Sequence, residues 1–297
     1  MFLRHNSYSP FVPAAKRLFY RSVIEAHTIE KGLALPEPRP AFGRAKITGI
    51  AGLLSKYDEA YSPFPLEMTG GAISDYMAFN QKAGVAAEQL VEARALKAHL
   101  QARVRRETGG IREVAAPQSQ NATGGADFIA SRFSCRMFDA RPVPRGEIEA
   151  ALRVAQSAPS QCNRQATKVH VYEERDQIDH LLSLQGGAAG FASTVPALLL
   201  VTSELTAWGG PQQRNQPYVD GGLYSLATLL ALHARGLASC PLNLAVTNRT
   251  ERLIKRAGEV PACERLVMMI AVGYPSRPAL RAAKSPRRPL AEIVTWH

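Results

Sequence analysis

Four stretches of this 297-residue chain gather side chains able to do chemistry. In Ser131-Arg-Phe-Ser-Cys-Arg-Met-Phe138, Arg132, Ser134 and Arg136 alternate, so in an extended segment they project to one side. Two guanidinium groups flanking a hydroxyl form an anion clamp, because arginine presents a fork of donors matched to phosphate oxygens. Taken alone, the same alternation also fits a solvated edge. In Ser157-Ala-Pro-Ser-Gln-Cys-Asn-Arg-Gln165, Pro159 stops a helix, and Ser160, Gln161, Asn163 and Gln165 then crowd a loop with neutral amides and hydroxyls. Such groups pair with both the donor and acceptor edges of a heterocycle, which carboxylates cannot do. An ordinary polar loop is the competing reading.

The third stretch, Asp220 to Cys240, reads as an apolar core helix followed by a turn of small residues, Ala238, Ser239 and Cys240, where backbone can approach a ligand. His233 lies within it, and a lone helical histidine is more often packed than catalytic. The fourth is a strand ending at Ile270-Ala-Val-Gly-Tyr-Pro275, followed by Arg277, Arg281, Lys284, Arg287 and Arg288. Pro286 and Pro289 hold part of this basic run extended, where it suits either a terminal phosphate or solvent. No paired carboxylates and no Ser/His/Asp arrangement are evident.

The elements needed to position these pieces can be read from periodicity. Up to about Glu107 every periodic stretch reads as helix: Ala14 to Ile29, Arg44 to Tyr61, Ile73 to Lys82, and a long one from Val85 to Arg106. A connector, Gly32 to Gly43, carries Pro36, Pro38 and Pro40. Thr108 to Ala126 reads as a glycine-rich linker, which divides the chain into a helical segment, 1–120, and a second domain, 121–297. In the second, helices (Arg145 to Ser157, Asp176 to Leu184, Asp220 to Arg235, Arg249 to Ala257) alternate with strands (Lys168 to Tyr172, Ala197 to Thr202, Leu266 to Val272). Asp220 is expected to be an N-cap and Gly236 a C′ residue. The alternation indicates an α+β fold, a central sheet covered by helices, preceded by an all-helical extension.

Bulk properties exclude several classes. The chain is 46% hydrophobic and 21% charged, ordinary for a globular protein. No run reaches the roughly 18 apolar residues of a membrane helix, and Arg4 to Ser7 interrupt any signal peptide, so a soluble cytoplasmic protein is expected. The net charge of +11 is not gathered in one block, which points to a solvated surface with a phosphate site rather than to nucleic acid. Cys135, Cys162, Cys240 and Cys263 lack the spacing of a zinc site or a disulfide scaffold.

Taken together and in order, the four stretches resemble the FMN-dependent nitroreductase family from about Asp127 to Val294. Ser131 to Phe138 resembles its R-x-S-x-R-x-F opening, and Ala158 to Gln165 its A-P-S-x-x-N-x-Q loop. Asp220 to Cys240 is similar to its central helix and G-L-x-x-C turn, and Val260 to Pro275 to its last strand. The resemblance implies that Arg132, Phe133 and Ser134 hold the FMN phosphate and nearby backbone, with Arg136 near the ribityl chain and pyrimidine side. It places Pro159, Ser160 and Asn163 along the isoalloxazine ring, Ala238, Ser239 and Cys240 near the flavin N5, and Arg287 or Arg288 on the phosphate. It further implies a homodimer and a ping-pong cycle, with hydride passing from NADH or NADPH to the flavin and then to a small-molecule nitro, quinone or enone acceptor. A flavin-binding protein without turnover, serving assembly or regulation in polysaccharide biosynthesis, is the alternative. Ala166 and Thr167 stand where the family often has Pro-Trp, which removes an aromatic wall. His27-Thr-Ile-Glu-Lys-Gly-Leu, with Arg39 to Gly43, resembles the extension of nitroreductase-like proteins encoded near polysaccharide-biosynthesis genes. In that segment His27, Glu30, Lys31 and Arg39 are expected to anchor the connector.

Overall fold

A computed structural model describes residues 13–115, 124–161, 165–208 and 211–297. By contact the chain divides into two compact units, Met1–Glu113 with Arg281–His297, and Val114–Leu280.

The first unit is built from helices α1 (Ala14–Leu33), α2 (Arg44–Leu54), α3 (Phe64–Lys82) and α4 (Val91–Gln101). Their apolar stripes meet in one core that includes Phe19, Ile29, Leu33, Ile47, Ile50, Leu54, Tyr76, Leu96 and Leu100. Helix α3 starts nine residues earlier than its periodicity suggests, at Phe64 rather than Ile73. Pro63 and Pro65 read as breakers, but proline is tolerated in a first turn, where its missing N–H has no acceptor to lose. The expected long helix, Val85 to Arg106, is instead a 3-10 turn, Ala87–Leu90, followed by α4. Arg103 lies beyond α4 and donates to Leu54 O and Tyr57 O, both at 3.0 Å, so it caps the end of α2.

Glu30 is fully buried, and its two oxygens are divided between His27 Nδ1 (2.8 Å) and the backbone N–H of Gly110 (2.8 Å). Gly109 is obligatory in this contact, because a Cβ there would run into Met68 O. Arg281 donates to Leu35 O at 3.0 Å and Pro36 O at 2.8 Å, Tyr76 donates to Phe42 O at 2.7 Å, and Asn80 Oδ1 accepts from Ala41 N at 2.6 Å, so these side chains tie down the proline-rich connector. The C-terminal segment completes the unit. Arg288 lies over the Phe19 ring at 4.5 Å and pairs with Glu292, which accepts from Ser62 Oγ at 2.7 Å. Lys284 reaches Asp75 at 3.5 Å.

The expected linker holds regular structure at both ends. Strand β1 (Ile111–Ala115) pairs with β6 (Ala279–Ala283) in a two-stranded sheet, and Gly125–Ser131 forms the short helix α5. The second unit carries a four-stranded antiparallel sheet of β2 (Thr167–Tyr172), β3 (Ala197–Glu204), β5 (Glu264–Gly273) and β4 (Ala238–Asn243), in that order. Helices α6 (Arg145–Ala155) and α8 (Gln216–Ala234) cover one face; Ile148, Ala151, Leu229 and Leu232 pack on Leu199, Val201, Ile270 and Val272. Truncating one of these sheet residues, as in Leu199→Ala, is expected to cost about 2–5 kcal/mol. Helices α7 (Arg175–Gln185) and α9 (Asn248–Ala257) pack against each other, and Tyr172 of β2 donates to Gly258 O at the end of α9. The fold is α+β with a helical N-terminal region, as the alternation of patterns requires. No helix among the described residues is long and apolar enough to cross a membrane.

Candidate functional site

The residues of the anion clamp leave α5 at Arg132, whose backbone is already extended (φ −66°, ψ 133°). From there the segment is sewn to the end of the sheet. Cys135 N donates to Ser239 O at 2.9 Å, Ser276 N to Met137 O at 3.0 Å, and Asp139 N to Tyr274 O at 2.9 Å. Cys135 and Met137 are buried, as the alternation demands, while Arg132 and Ser134 are half-buried. Burial pushes the Cys135 thiol up to about 12, so it is no thiolate nucleophile.

Arg136 is the unusual member. It is only 8% exposed, and among the described residues its hydrogen bond is to Ser134 O, long at 3.4 Å. Among the described residues no carboxylate pairs with it. A guanidinium held out of water without a counter-charge is costly, and an anionic or carbonyl-rich ligand at this point removes the cost.

The amide loop is pinned from an unexpected direction. Helix α8 begins at Gln216, so Asp220 is an interior residue rather than the expected N-cap. Its carboxylate is 2% exposed and accepts from Gln161 N at 2.9 Å and Gln216 Nε2 at 2.7 Å. Asp220 therefore ties the loop to the central helix. The loop closes on itself where Gln165 N donates to Ser160 Oγ at 3.0 Å, with Gln165 in the left-handed region at φ 50°. Strain of this kind in a non-glycine residue persists only where the surroundings enforce it. Pro159 is exposed and Ser160 half-buried; Cys162, Asn163 and Arg164 lie outside the described residues.

Ala238, Ser239 and Cys240 are not a turn. They form the start of β4, with Ala238 opposite Gly273 and Cys240 opposite Ala271, and all three are buried. Gly236, at φ 72°, supplies the left-handed step that leads from α8 into this strand. The two C-terminal arginines differ. Arg288 is committed to Glu292 and the Phe19 ring, whereas Arg287 is exposed and donates only to Ser285 O among the described residues. Both belong to the first unit, while Arg132, Ser134, Arg136 and the amide loop belong to the second.

Sequence reasoning missed two residues at this site, Asp220 as an anchor and His233. His233 Nε2 lies 2.8 Å from Ser131 Oγ, one residue before Arg132. Burial, and then the Arg132 charge, hold the imidazole below the ordinary histidine value. An ionisable side chain inside an otherwise apolar helix was the available signal for both.

Residues 129–189 match the nitroreductase family. The iodotyrosine deiodinase of Thermotoga neapolitana is 26% identical over 192 residues, which span 57% of this chain and 94% of that protein. Among solved structures, NfrA2 of B. megaterium is 21% identical with a TM-score of 0.51, covering 57% of this chain and 72% of that one. A nitroreductase-like protein of Streptococcus mutans is 18% identical with a TM-score of 0.50, covering 58% of this chain and 97% of its own. At such identities these structures speak to fold alone.

Proposed function

From a C-terminal region that carries a nitroreductase-family segment in a nitroreductase-like fold, we propose that this protein is a flavin-dependent oxidoreductase that uses FMN. The observation that carries the reading is Arg136, a buried guanidinium without an acidic partner among the described residues, beside Ser134 and four residues from Arg132. That donor set fits a phosphate with its attached polyol: forked cations for the dianion and a hydroxyl between them.

Arg132 and Ser134 would hold the phosphate, with Phe133 beside them, and Arg136 the polar side of the ring system. In a low-dielectric pocket a fixed guanidinium binds negative charge far more strongly than one in water. Pro159, Ser160 and Asn163 would line the ring, with the loop held still by Asp220. The start of β4, Ala238 to Cys240, would close the far side. Of the two tail arginines, we assign the phosphate contact to Arg287, supplied by either subunit of a dimer, because Arg288 is already engaged. When bound, FMN supplies hydride chemistry, in a ping-pong cycle between NADH or NADPH and an electron-poor nitro, quinone or enone acceptor. The protein's part is to bind, orient and exclude water.

A homodimer is part of the proposal. Val219, Leu223 and Leu226, at helical spacing on α8, are 51%, 42% and 51% exposed in one copy. A helix apolar on all sides needs covering on all sides. A second reading, reductive dehalogenation of an aromatic, is favoured by the Thermotoga relative, which the alignment spans almost end to end. Anaerobic mixing with NADH or NADPH tests turnover. Bleached flavin that is reoxidised by a nitroaromatic or quinone supports the main reading, and release of iodide from an iodinated tyrosine supports the second. Bound flavin that neither nicotinamide bleaches points to a binding protein without turnover.

A further inference from the structure

His233 has no place in the ligand set above, yet it hydrogen-bonds Ser131, the residue before Arg132. It sits in the last turn of α8, with its Nε2 2.8 Å from Ser131 Oγ and its ring 5.1 Å from that of Phe128 at an interplanar angle of 33°. The Ser131 hydroxyl has a single proton, which it donates to Phe128 O at 2.8 Å. The nitrogen facing it must therefore carry a hydrogen and donate. A relay from His233 through Ser131 to the Phe128 carbonyl thus grips the last turn of α5 from outside. That grip falls where the backbone passes from helix to extended chain. Helix α5 has seven residues and no buried side chain, so little of its own packing fixes its end.

We infer that His233 is the positioning residue for Arg132: its Nε2–H, acting through Ser131, sets the direction in which the Arg132 guanidinium meets an anion. The identity of that anion as a flavin phosphate rests on the function proposed above; the grip itself does not. The charged surroundings are simple. Just past the end of α8 Arg235 is paired with Glu147 of α6 at 2.6 Å, and β4 brings no ionisable group but Cys240. Asp127 lies on the first turn of α5, at the far end from Ser131. Arg132 is the charge that acts on the imidazole, and it opposes protonation. An anion seated at Arg132 offsets that opposition, so anion binding and His233 protonation favour each other.

The test uses the full chain. The His233 ring is titrated by NMR in the wild type, with and without saturating FMN, and in Arg132→Gln. FMN affinity is measured for the wild type, His233→Gln, which keeps an N–H near the Nε2 position, and His233→Leu, which does not. Arg132→Gln is expected to move the His233 midpoint up, as is FMN in the wild type. His233→Leu is expected to weaken FMN roughly tenfold, one hydrogen bond's worth, with His233→Gln within roughly threefold of wild type. A midpoint indifferent to Arg132→Gln, or a leucine variant that binds FMN as tightly as wild type, overturns the inference. So does an equal loss in both variants that tracks their melting temperatures, which would make His233 purely structural. If the wild type takes up no FMN, the flavin reading fails instead, and the Arg132→Gln titration alone decides the grip.

Discussion

Arg136 and Glu264 are both ionisable and almost fully buried, at 8% and 2% exposed, but among the described residues only Glu264 has partners of opposite charge. Glu264 accepts from His170 Nε2 at 2.7 Å and from Thr202 Oγ1, and Lys168 stands 3.7 Å away. Burial pushes its carboxyl up, but the Thr202 and His170 hydrogen bonds and the nearby cations together outweigh that and hold it below the usual carboxylate range. A carboxyl whose folded value is depressed contributes stability above its unfolded value, about pH 4.3, and loses it as the pH falls through the folded value. The melting temperature should therefore drop on acidification below about pH 5, and Glu264→Gln should flatten that drop while costing about 1–3 kcal/mol at neutral pH. Arg136 predicts the opposite pattern. Arg136→Met should leave the flavin-free protein as stable as wild type, or more so by about 1–2 kcal/mol, since only the long hydrogen bond to Ser134 O, and no ion pair among the described residues, is lost. Its FMN affinity should fall about ten- to a hundredfold, measured by fluorescence titration. A destabilised flavin-free Arg136→Met would mean that the guanidinium already has its partner.

At the scale of elements, Asp220 links α8 to the amide loop through Gln161 N and Gln216 Nε2. Asp220→Ala should leave the helix intact by circular dichroism but loosen residues 157–161, seen as faster amide exchange there and weaker flavin binding. On the outer side of the same helix, Leu223→Asp with Leu226→Asp should convert a dimer to a monomer in analytical ultracentrifugation; an unchanged mass would sink the dimer proposal. The strands and helices facing the core were legible in the sequence where one signal was strong: a 3.6-residue period through Ala14 to Ile29, and an unbroken apolar run, Ala197 to Val201, that marks a buried strand. Other parts were hidden for identifiable reasons. Strand β4, Ala238 to Asn243, opens with three small residues followed by a proline, so no alternation betrays it. Helix α3 begins among prolines that propensity treats as stops. At the candidate site, the order of Arg132, Ser134, Arg136 and Ser160 was legible in one dimension. Asp220 and His233 were not, because their importance lies in contacts 59 and 102 residues apart in sequence.

At the scale of the whole molecule, the C-terminal segment belongs to the N-terminal unit, held by Arg288 on Phe19, Glu292 on Ser62 and Lys284 on Asp75. Ending the chain after Ala283 should therefore uncover the core around Phe19. Limited proteolysis should then cut within residues 13–113 far faster than in the full chain, and equal resistance would show that the tail is dispensable for that unit. Such a dependence means that the N-terminal helices cannot be expressed apart from the far end of the chain without losing part of their packing.

The claim on which the functional account rests is that the Arg132–Arg136 segment and the amide loop hold FMN. The absorption spectrum of the purified full-length protein tests it most directly. The account predicts flavin bands with FMN equimolar to the chain, lost when Arg132→Ala and Asn163→Ala are combined in a variant that still folds. A colourless wild-type protein that takes up no FMN on reconstitution would contradict it.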